Sequence, residues 1–352
     1  MRGVVLFYVN IKNLSLLNDI SFYEQNIRVL KEMGFSVILS NKYSDVFLKK
    51  YDYIYIWWWS YALIPLLWSK LKFKKSIVTG AFHYNTPLVN SDFKNESLIY
   101  KILVKFALKF ADANIFVSNI EYKDVTKNLN VNNPFMVYHG IDTDKYYSKN
   151  TSPAIEPKTK KILMISWLEK NNIERKCIKQ SIEAICKLYS NGYSVDLSVA
   201  GRPGPGYDDF ISYVNSLNGI ECVKFLGHIS ETKKIHLLQN TDIFLSPTLY
   251  EGFGVAIAEA LSCGCAVITS NNGAVPEVAG QCALYCEPQS VQSIYNNVNK
   301  IKNEFNLKFG QLLKSEKEKF LKEGGNIIDF QYSNPIKSTY NSILYDYKIK
   351  RN

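Results

Sequence analysis

Residues 242–280 read DIFLSPTLYEGFGVAIAEALSCGCAVITSNNGAVPEVAG. Residues 243–247 (IFLSP) read as a buried strand. It ends in a turn containing Gly252 and Gly254, and a helix starts near Gly254. In open α/β sheets, ligands bind beyond the carboxyl ends of the strands. The first N–H groups of a helix have no internal partner and sit at the positive end of its dipole, so they suit an anion. Glycine at 252 and 254 lets the backbone come close to such a ligand. Glu251 precedes the turn and Glu259 lies on the helix, and both carboxylates accept hydrogen bonds from hydroxyls. Donors for phosphate beside acceptors for hydroxyls fit a nucleotide sugar.

Outward from this segment the chain alternates strand and helix. Toward the N-terminus of that half, ILMIS predicts a strand, 177–190 a helix stopped by Gly192, and SVDLSVAG a strand. VKFLG, ETKKIHLLQN and AVITS continue the alternation as strand, helix and strand. A polar, proline-bearing stretch, 148–160 (SKNTSPAIEPKTK), has the composition of a linker. Before it, GVVLFYV, FSVILS, YIYIWWW, SIVTG, ANIFVS and FMVYHG predict strands. Asp19 to Met33, a segment opened by Pro65, and residues 97–111 predict helices. Alternation on both sides of a linker predicts an α/β fold of two Rossmann-like domains with mostly parallel sheets, at 1–150 and 160–330.

Composition narrows the function classes. With 352 residues, 47% hydrophobic and 21% charged, the chain has material for two cores and is not a disordered protein. The net charge of +10 is uneven: residues 1–150 carry +7 and the remainder +3. A basic half suits nucleic acid, an anionic membrane or phosphorylated substrates. Nucleic acid is disfavoured, because no recognised binding motif is present and the aromatics lie mostly in apolar runs, not interleaved with lysine and arginine. All seven cysteines fall in the C-terminal half with neither metal spacing nor a disulfide pattern, which predicts buried thiols in a reducing, cytoplasmic setting. No signal peptide is visible, and the longest apolar stretches fall short of the roughly 20 residues that span a bilayer.

Glu251, seven residues, then Glu259, inside EGFG…EA and followed by CG-x-A-V and P-E-V, resembles the donor site of retaining GT-B glycosyltransferases of family 4. Weaker likeness runs through VAGRPGPGYDDF, VKFLGHIS, VYHGIDTDKY and VSNIEYKD. The resemblance implies two domains facing across a cleft. It implies that Glu259 holds ribose hydroxyls, while Glu251, Gly252 and the amides of Phe253, Gly254 and Val255 hold the sugar and the distal phosphate. It further implies that Arg175 and Lys176 clamp the diphosphate and that His83 faces the reacting sugar. Where the family has an arginine after the first strand of this domain, the chain has Ser166-Trp167, and the family's N-terminal glycine pair is replaced by NIKNLSLLND. Gly201 reads as a strand-end turn near the base or as a plain loop, and Arg202 as a ligand contact or a solvated side chain.

The expected activity is therefore metal-independent, retaining transfer of a hexose-type sugar from a UDP- or GDP-linked donor, with no cofactor. The expected acceptor is a glycan or a polyprenyl-diphosphate-linked glycan of the O-antigen or capsule type. The alternative is a non-catalytic sugar-nucleotide binder or partner subunit on the same fold. Asp142-Thr143-Asp144 is a D-x-D string, read here as structural. Residues 333–352 are expected to form a helix packing back on the first domain. The helix 97–110, with lysines at 101, 105 and 109, has two readings: a domain helix with its lysines in water, or a helix lying on anionic lipid at the inner face of the cytoplasmic membrane.

Overall fold

The computed structural model describes residues 2–86, 92–149 and 159–304. The chain divides into two compact units, one ending at Gly140 and the other beginning at Ile141. This boundary lies in the H-G-I-D loop, ahead of the polar stretch that composition marks as a linker. The expected helix at 333–352 lies outside the described residues.

The first unit starts with β1 (Val4–Val9), α1 (Leu16–Asp19), α2 (Ser21–Glu32) and β2 (Ser36–Ser40). It continues with α3 (Tyr43–Leu48), β3 (Tyr53–Trp57), α4 (Leu63–Leu71) and β4 (Lys75–Gly80). It closes with α5 (Leu98–Phe110), β5 (Ala113–Phe116), α6 (Asn119–Asn128) and β6 (Pro134–Met136). The strands form one parallel sheet in the order β2-β1-β3-β4-β5-β6. Alternate residues of β1 feed two cores, as a strand buried on both faces must. Val5, Phe7 and Val9 pack with Tyr23, Ile27 and Leu30 of α2. Leu6 and Tyr8 face Val46 of α3, Leu66 of α4, Val104 of α5 and Val125 of α6. Thus α2 covers one side of the sheet and α3 to α6 the other, as right-handed crossovers in this strand order require.

Two local expectations are corrected. The helix predicted from Asp19 to Met33 is broken at Ile20, whose backbone is extended (φ −98°, ψ 114°). The strand predicted over FMVYHG is confined to Pro134–Met136.

The second unit comprises β7 (Lys160–Ile165), α7 (Lys170–Arg175), α8 (Ile178–Ser190), β8 (Val195–Ala200), α9 (Tyr207–Val214) and β9 (Val223–Gly227). After these come α10 (Glu231–Leu238), β10 (Ile243–Ser246), α11 (Val255–Ser262), β11 (Ala266–Thr269), α12 (Val275–Ala279), β12 (Ala283–Tyr285) and α13 (Val291–Glu304). Its parallel sheet runs β12-β11-β10-β7-β8-β9. Ile162 and Met164 of β7 pack against Ile178, Ile182 and Ile185 of α8 and Ile294 of α13. Strand order reverses between β7 and β10, which makes the carboxyl ends of these two strands the topological switch point. Helix α11 ends as its sequence predicts: Gly264 (φ 84°) follows it, Gly264 N–H donates to the Leu261 carbonyl and Cys265 N–H to that of Ala260. These paired bonds satisfy the last carbonyls of the helix.

Candidate functional site

The segment after β10 is fixed by its neighbours before any side chain acts. Leu249 N–H donates to the Arg175 carbonyl at 2.8 Å, and Thr248 N–H donates to Ser270 Oγ at 3.0 Å. Asn272 Nδ2 donates to the Thr248 carbonyl at 3.0 Å. Gly273 (φ 58°) comes so close that a Cβ there would lie 2.4 Å from the Glu251 carbonyl oxygen. Ala274 N–H donates to that oxygen at 2.8 Å. The turn 270–274 thus clasps the backbone of Glu251, and only glycine fits position 273.

The Glu251 side chain meets the residues that follow β7. Arg175 Nη1 donates to Glu251 Oε2 at 3.1 Å and to the Tyr250 carbonyl at 2.8 Å, while Nη2 donates to Asn172 Oδ1 at 2.8 Å. Lys176 Nζ donates to Glu251 Oε1. Cys177, in a left-handed conformation (φ 47°), separates α7 from α8 and so ends the segment that presents both cations. Burial acts to raise the Glu251 carboxyl, but the charges of Lys176 and Arg175 and their hydrogen bonds outweigh it and hold it down at about 2. Burial lowers the Lys176 ammonium, an effect that Glu251 opposes. Sequence placed Arg175, Lys176 and Glu251 in one site, and the fold puts them in mutual contact.

Helix α11 begins at Val255 behind Gly254, whose φ of 95° is a conformation open to glycine. Gly252, Phe253 and Gly254 are buried, so the first amides of the helix are positioned by packed backbone. One turn into α11, Glu259 is buried and takes a hydrogen bond from Lys234 Nζ at 2.9 Å. Lys234 also lies 2.9 Å from Glu231 Oε2 and 5.2 Å above the Tyr146 ring. The Tyr146 hydroxyl donates to Glu231. Burial would lower the Lys234 ammonium, yet the two carboxylates outweigh it and hold it above its ordinary value.

Sequence reasoning did not single out Lys234, Glu231 or Tyr146. The available signal was the capped helix start S-E-T-K-K, in which Ser230 Oγ accepts from Lys233 N–H and Glu231 and Lys234 share a face.

Gly201 is resolved as a strand-end turn. A Cβ there would fall 1.6 Å from the Ser166 carbonyl oxygen, and its N–H donates to the Gly227 carbonyl at 2.8 Å. Arg202 is exposed, and its guanidinium forms no hydrogen bond or ion pair among the described residues. Trp167, next to the end of β7, is about half exposed.

His83 belongs to the first unit. It follows β4, its carbonyl accepts from Phe93 N–H at 2.7 Å, and its Nδ1 lies 3.4 Å from Glu121 Oε1. Glu121 is buried in the first turn of α6, behind the N-cap Ser118, which accepts from Glu121 N–H. His83, Trp58, Trp59 and Tyr100 line a small pocket in this unit.

The D-x-D string is a turn. Asp142 Oδ1 accepts from the Asp144 N–H at 3.1 Å, and Oδ2 lies 3.5 Å from Lys145 Nζ. No group of three or more His, Cys, Asp or Glu side chains able to hold a metal occurs among the described residues. All seven cysteines are free thiols, and no helix among the described residues is long and apolar enough to cross a membrane.

Residues 148–310 match the family model of glycosyl transferases group 1. A glycogen synthase of Mycobacterium tuberculosis is 27% identical over 161 residues, covering 45% of this chain and 37% of that protein. The chain thus spans little more than a third of the length of that relative. The N,N'-diacetylbacillosaminyl-diphospho-undecaprenol alpha-1,3-N-acetylgalactosaminyltransferase of Campylobacter jejuni is 24% identical over 291 residues, 78% of this chain and 72% of that one. Among solved structures, Anabaena HepE in complex with UDP and glucose superimposes with a TM-score of 0.71 at 16% identity, covering 97% of this chain and all of that one. The fold is that of the GT-B glycosyltransferases: two Rossmann-like units, each with a six-stranded parallel sheet.

Proposed function

We propose that the protein is a retaining, metal-independent glycosyltransferase. In this reading it moves a hexose-type sugar from a nucleoside diphosphate to a glycan or polyprenyl-diphosphate-linked acceptor. The observation that carries the proposal is the cluster of Arg175, Lys176 and Glu251 at the switch point, beside the N-terminus of α11. The family match at 148–310 covers this cluster. The lipid-linked acceptor draws support from the undecaprenol-linked substrate in the name of the Campylobacter relative. A role in O-antigen- or capsule-type assembly draws support from an O-antigen chain mannosyltransferase of Escherichia coli, 38% identical over 72 residues.

In this reading the bond from the anomeric carbon to the diphosphate breaks and the acceptor oxygen takes its place. The acceptor's proton passes to the leaving phosphate oxygen. Arg175, a planar fork, and Lys176, a point charge, balance the charge that develops on the diphosphate, together with the α11 amides. They supply the positive charge that a divalent ion provides elsewhere. Glu251 is held ionised, so it accepts hydrogen bonds from sugar hydroxyls and does not serve as an acid. Glu259 takes the ribose hydroxyls. His83 is included as a catalytic residue.

A panel of UDP-, GDP- and ADP-sugars tests the reading by thermal stabilisation and by release of nucleoside diphosphate. The expected result is stabilisation by one nucleotide class, slow donor hydrolysis and activity that persists in EDTA. Loss of activity in EDTA, restored by manganese, would overturn metal independence. Trp167, standing where the family pattern has arginine, favours one second reading, a sugar-nucleotide binder without activity. Nucleotide stabilisation with neither hydrolysis nor transfer would select it.

A further inference from the structure

The outer surfaces of α3, α4 and α5, which lie on one side of the first sheet, are apolar where a solvated face is expected. In α4, Pro65, Leu66 and Ser69 face the core, while Ile64, Leu67 and Leu71 form an outward stripe at positions i, i+3 and i+7. In α5, Val104, Ala107 and Leu108 face the core, while Leu98, Ile99, Ile102 and Phe110 are exposed. Phe47 and Leu48 end α3 the same way. The exposure is large: Leu48 78%, Leu71 70%, Phe73 76%, Leu98 73% and Ile99 72%. Helices α3 and α5 both pack against α4, so these side chains belong to one surface. Scattered exposed leucines are ordinary, but a surface continuous across three helices marks an interaction site.

The charge around this surface indicates what covers it. Residues 43–111 contain ten lysines and four acidic residues, +6 of the chain's +10. Some of that charge is balanced locally, since Lys70 and Lys75 pair with Asp112 and Lys74 lies 3.9 Å from Asp52. Lys105 and Lys109 are exposed and form no ion pair among the described residues. They stand on the face of α5 that carries Ile102 and Phe110, and Lys109 lies 5.5 Å from the Phe110 ring centroid. Lys72 stacks over Trp68, which meets Phe47 edge-on. Long aliphatic side chains interleaved with lysines, on helices too short and too charged to cross a bilayer, match an anionic lipid leaflet. The apolar groups enter the acyl boundary and the ammonium groups stay at the phosphates.

We propose that the α3–α4–α5 surface is a membrane-binding face, inserted into an anionic leaflet through Leu48, Leu67, Leu71, Phe73, Ile99 and Ile102. It rests on charge and exposure within the first unit and stands whether or not the chain transfers sugar. It deepens the reading above, because a polyprenyl-linked acceptor presents its phosphates at such a leaflet.

The test is flotation of the full chain with vesicles of phosphatidylcholine alone and with about 30% phosphatidylglycerol. Binding is expected to be at least tenfold stronger on the anionic vesicles and to fall as salt rises. Leu71→Gln/Ile99→Gln/Ile102→Gln places good helix formers at exposed positions, and it should lose at least tenfold in binding at unchanged melting temperature. Lys105→Gln/Lys109→Gln should weaken binding to anionic vesicles only. Wild-type chain that stays in the vesicle-free fractions would overturn the proposal. So would a glutamine triple variant that binds like wild type, or one that only converts a dimer to a monomer, which would assign the surface to a second copy of the chain. Nucleotide-induced stabilisation, measured on the same samples, keeps a failed membrane face distinct from a failed donor site.

Discussion

Replacing Glu251 by glutamine separates its two parts, as partner of two cations and as acceptor for the sugar. The carboxylate lies 3.1 Å from Arg175 Nη1 and in contact with Lys176 Nζ. Side-chain exposures are 14% for Glu251, 12% for Lys176 and 27% for Arg175. Breaking a fully buried ion pair by removing one partner costs about 3–5 kcal/mol. Here Arg175 reaches water and glutamine keeps an acceptor oxygen, so about 1–3 kcal/mol is expected. For a unit of this size that is a fall in Tm of about 3–10 °C.

Loss of a charge-assisted hydrogen bond to the sugar removes about 1.5–3 kcal/mol more, this time from the transition state. Turnover should therefore drop about ten- to a hundredfold. Affinity for the nucleoside diphosphate should hold or tighten, because Arg175 and Lys176 no longer share their charge with Glu251. The assay is donor hydrolysis and transfer beside nucleotide titration, at a temperature where melting shows the variant folded. Wild-type turnover in a folded variant would refute the role of Glu251. Nucleotide affinity falling as far as turnover would place it on the diphosphate and not on the sugar.

Four further outcomes are expected. Because Glu251 is held at about 2 against an ordinary 4.5, its stabilising contribution is present above pH 4.5 and is lost as pH falls toward 2; urea melts should show the gap between wild type and Glu251→Gln constant from pH 7 to about pH 5 and narrowing below, and a gap that widens in acid would reverse the sign. Glu259→Ala should weaken nucleotide binding by about 1.5–3 kcal/mol, measured by titration, since the ribose hydroxyls lose a charged acceptor. Gly273→Ala forces a Cβ against the Glu251 carbonyl oxygen at a positive φ, so chemical melts should show it destabilised by more than about 1 kcal/mol, with turnover reduced. His83→Ala should cut turnover at least tenfold while leaving nucleotide titrations unchanged; unchanged turnover would remove it from the chemistry.

The core of the second unit and its switch point were legible because several local signals agree there. The run 243–247, the glycines at 252 and 254, the helical period of 255–262 and the stop at Gly264 all specify one strand, one turn and one helix. Legibility failed where an element's fate depends on partners remote in sequence. Asp19 to Met33 carries a helical pattern that α2 follows from Ser21 to Glu32, but the short helices α3 and α7 carry too few turns to show a period. Lys234 looked like any surface lysine until the fold brought Glu259 beside it, 25 residues away. The lysines of α5 left two readings open, a solvated stripe or a helix on anionic lipid, and in the structure they alternate with exposed Ile99, Ile102 and Phe110. Sequence shows that both faces of that helix are apolar and leaves open which one is buried.

The two charge clusters of the second unit have opposite residual signs, and this bears on what the site can hold. Arg175 and Lys176 against Glu251 leave one formal positive charge, next to the N-terminus of α11. Lys234 against Glu231 and Glu259 leaves one formal negative charge. Glu251 is held ionised by a lowered carboxyl and Lys234 by a raised ammonium, so each keeps its charge for its partners near neutral pH. A plain phosphate needs only the positive cluster, and a neutral sugar needs neither. A ligand with an anionic centre and a hydroxyl-rich end uses both, phosphates at Arg175 and Lys176 and hydroxyls at Glu259. Mixed polarity also opposes wrong ligands, since a second anionic group placed at Glu259 would meet a carboxylate. The pairing of these clusters along one helix, more than either alone, favours a nucleoside diphosphate sugar over a simple phosphate ester.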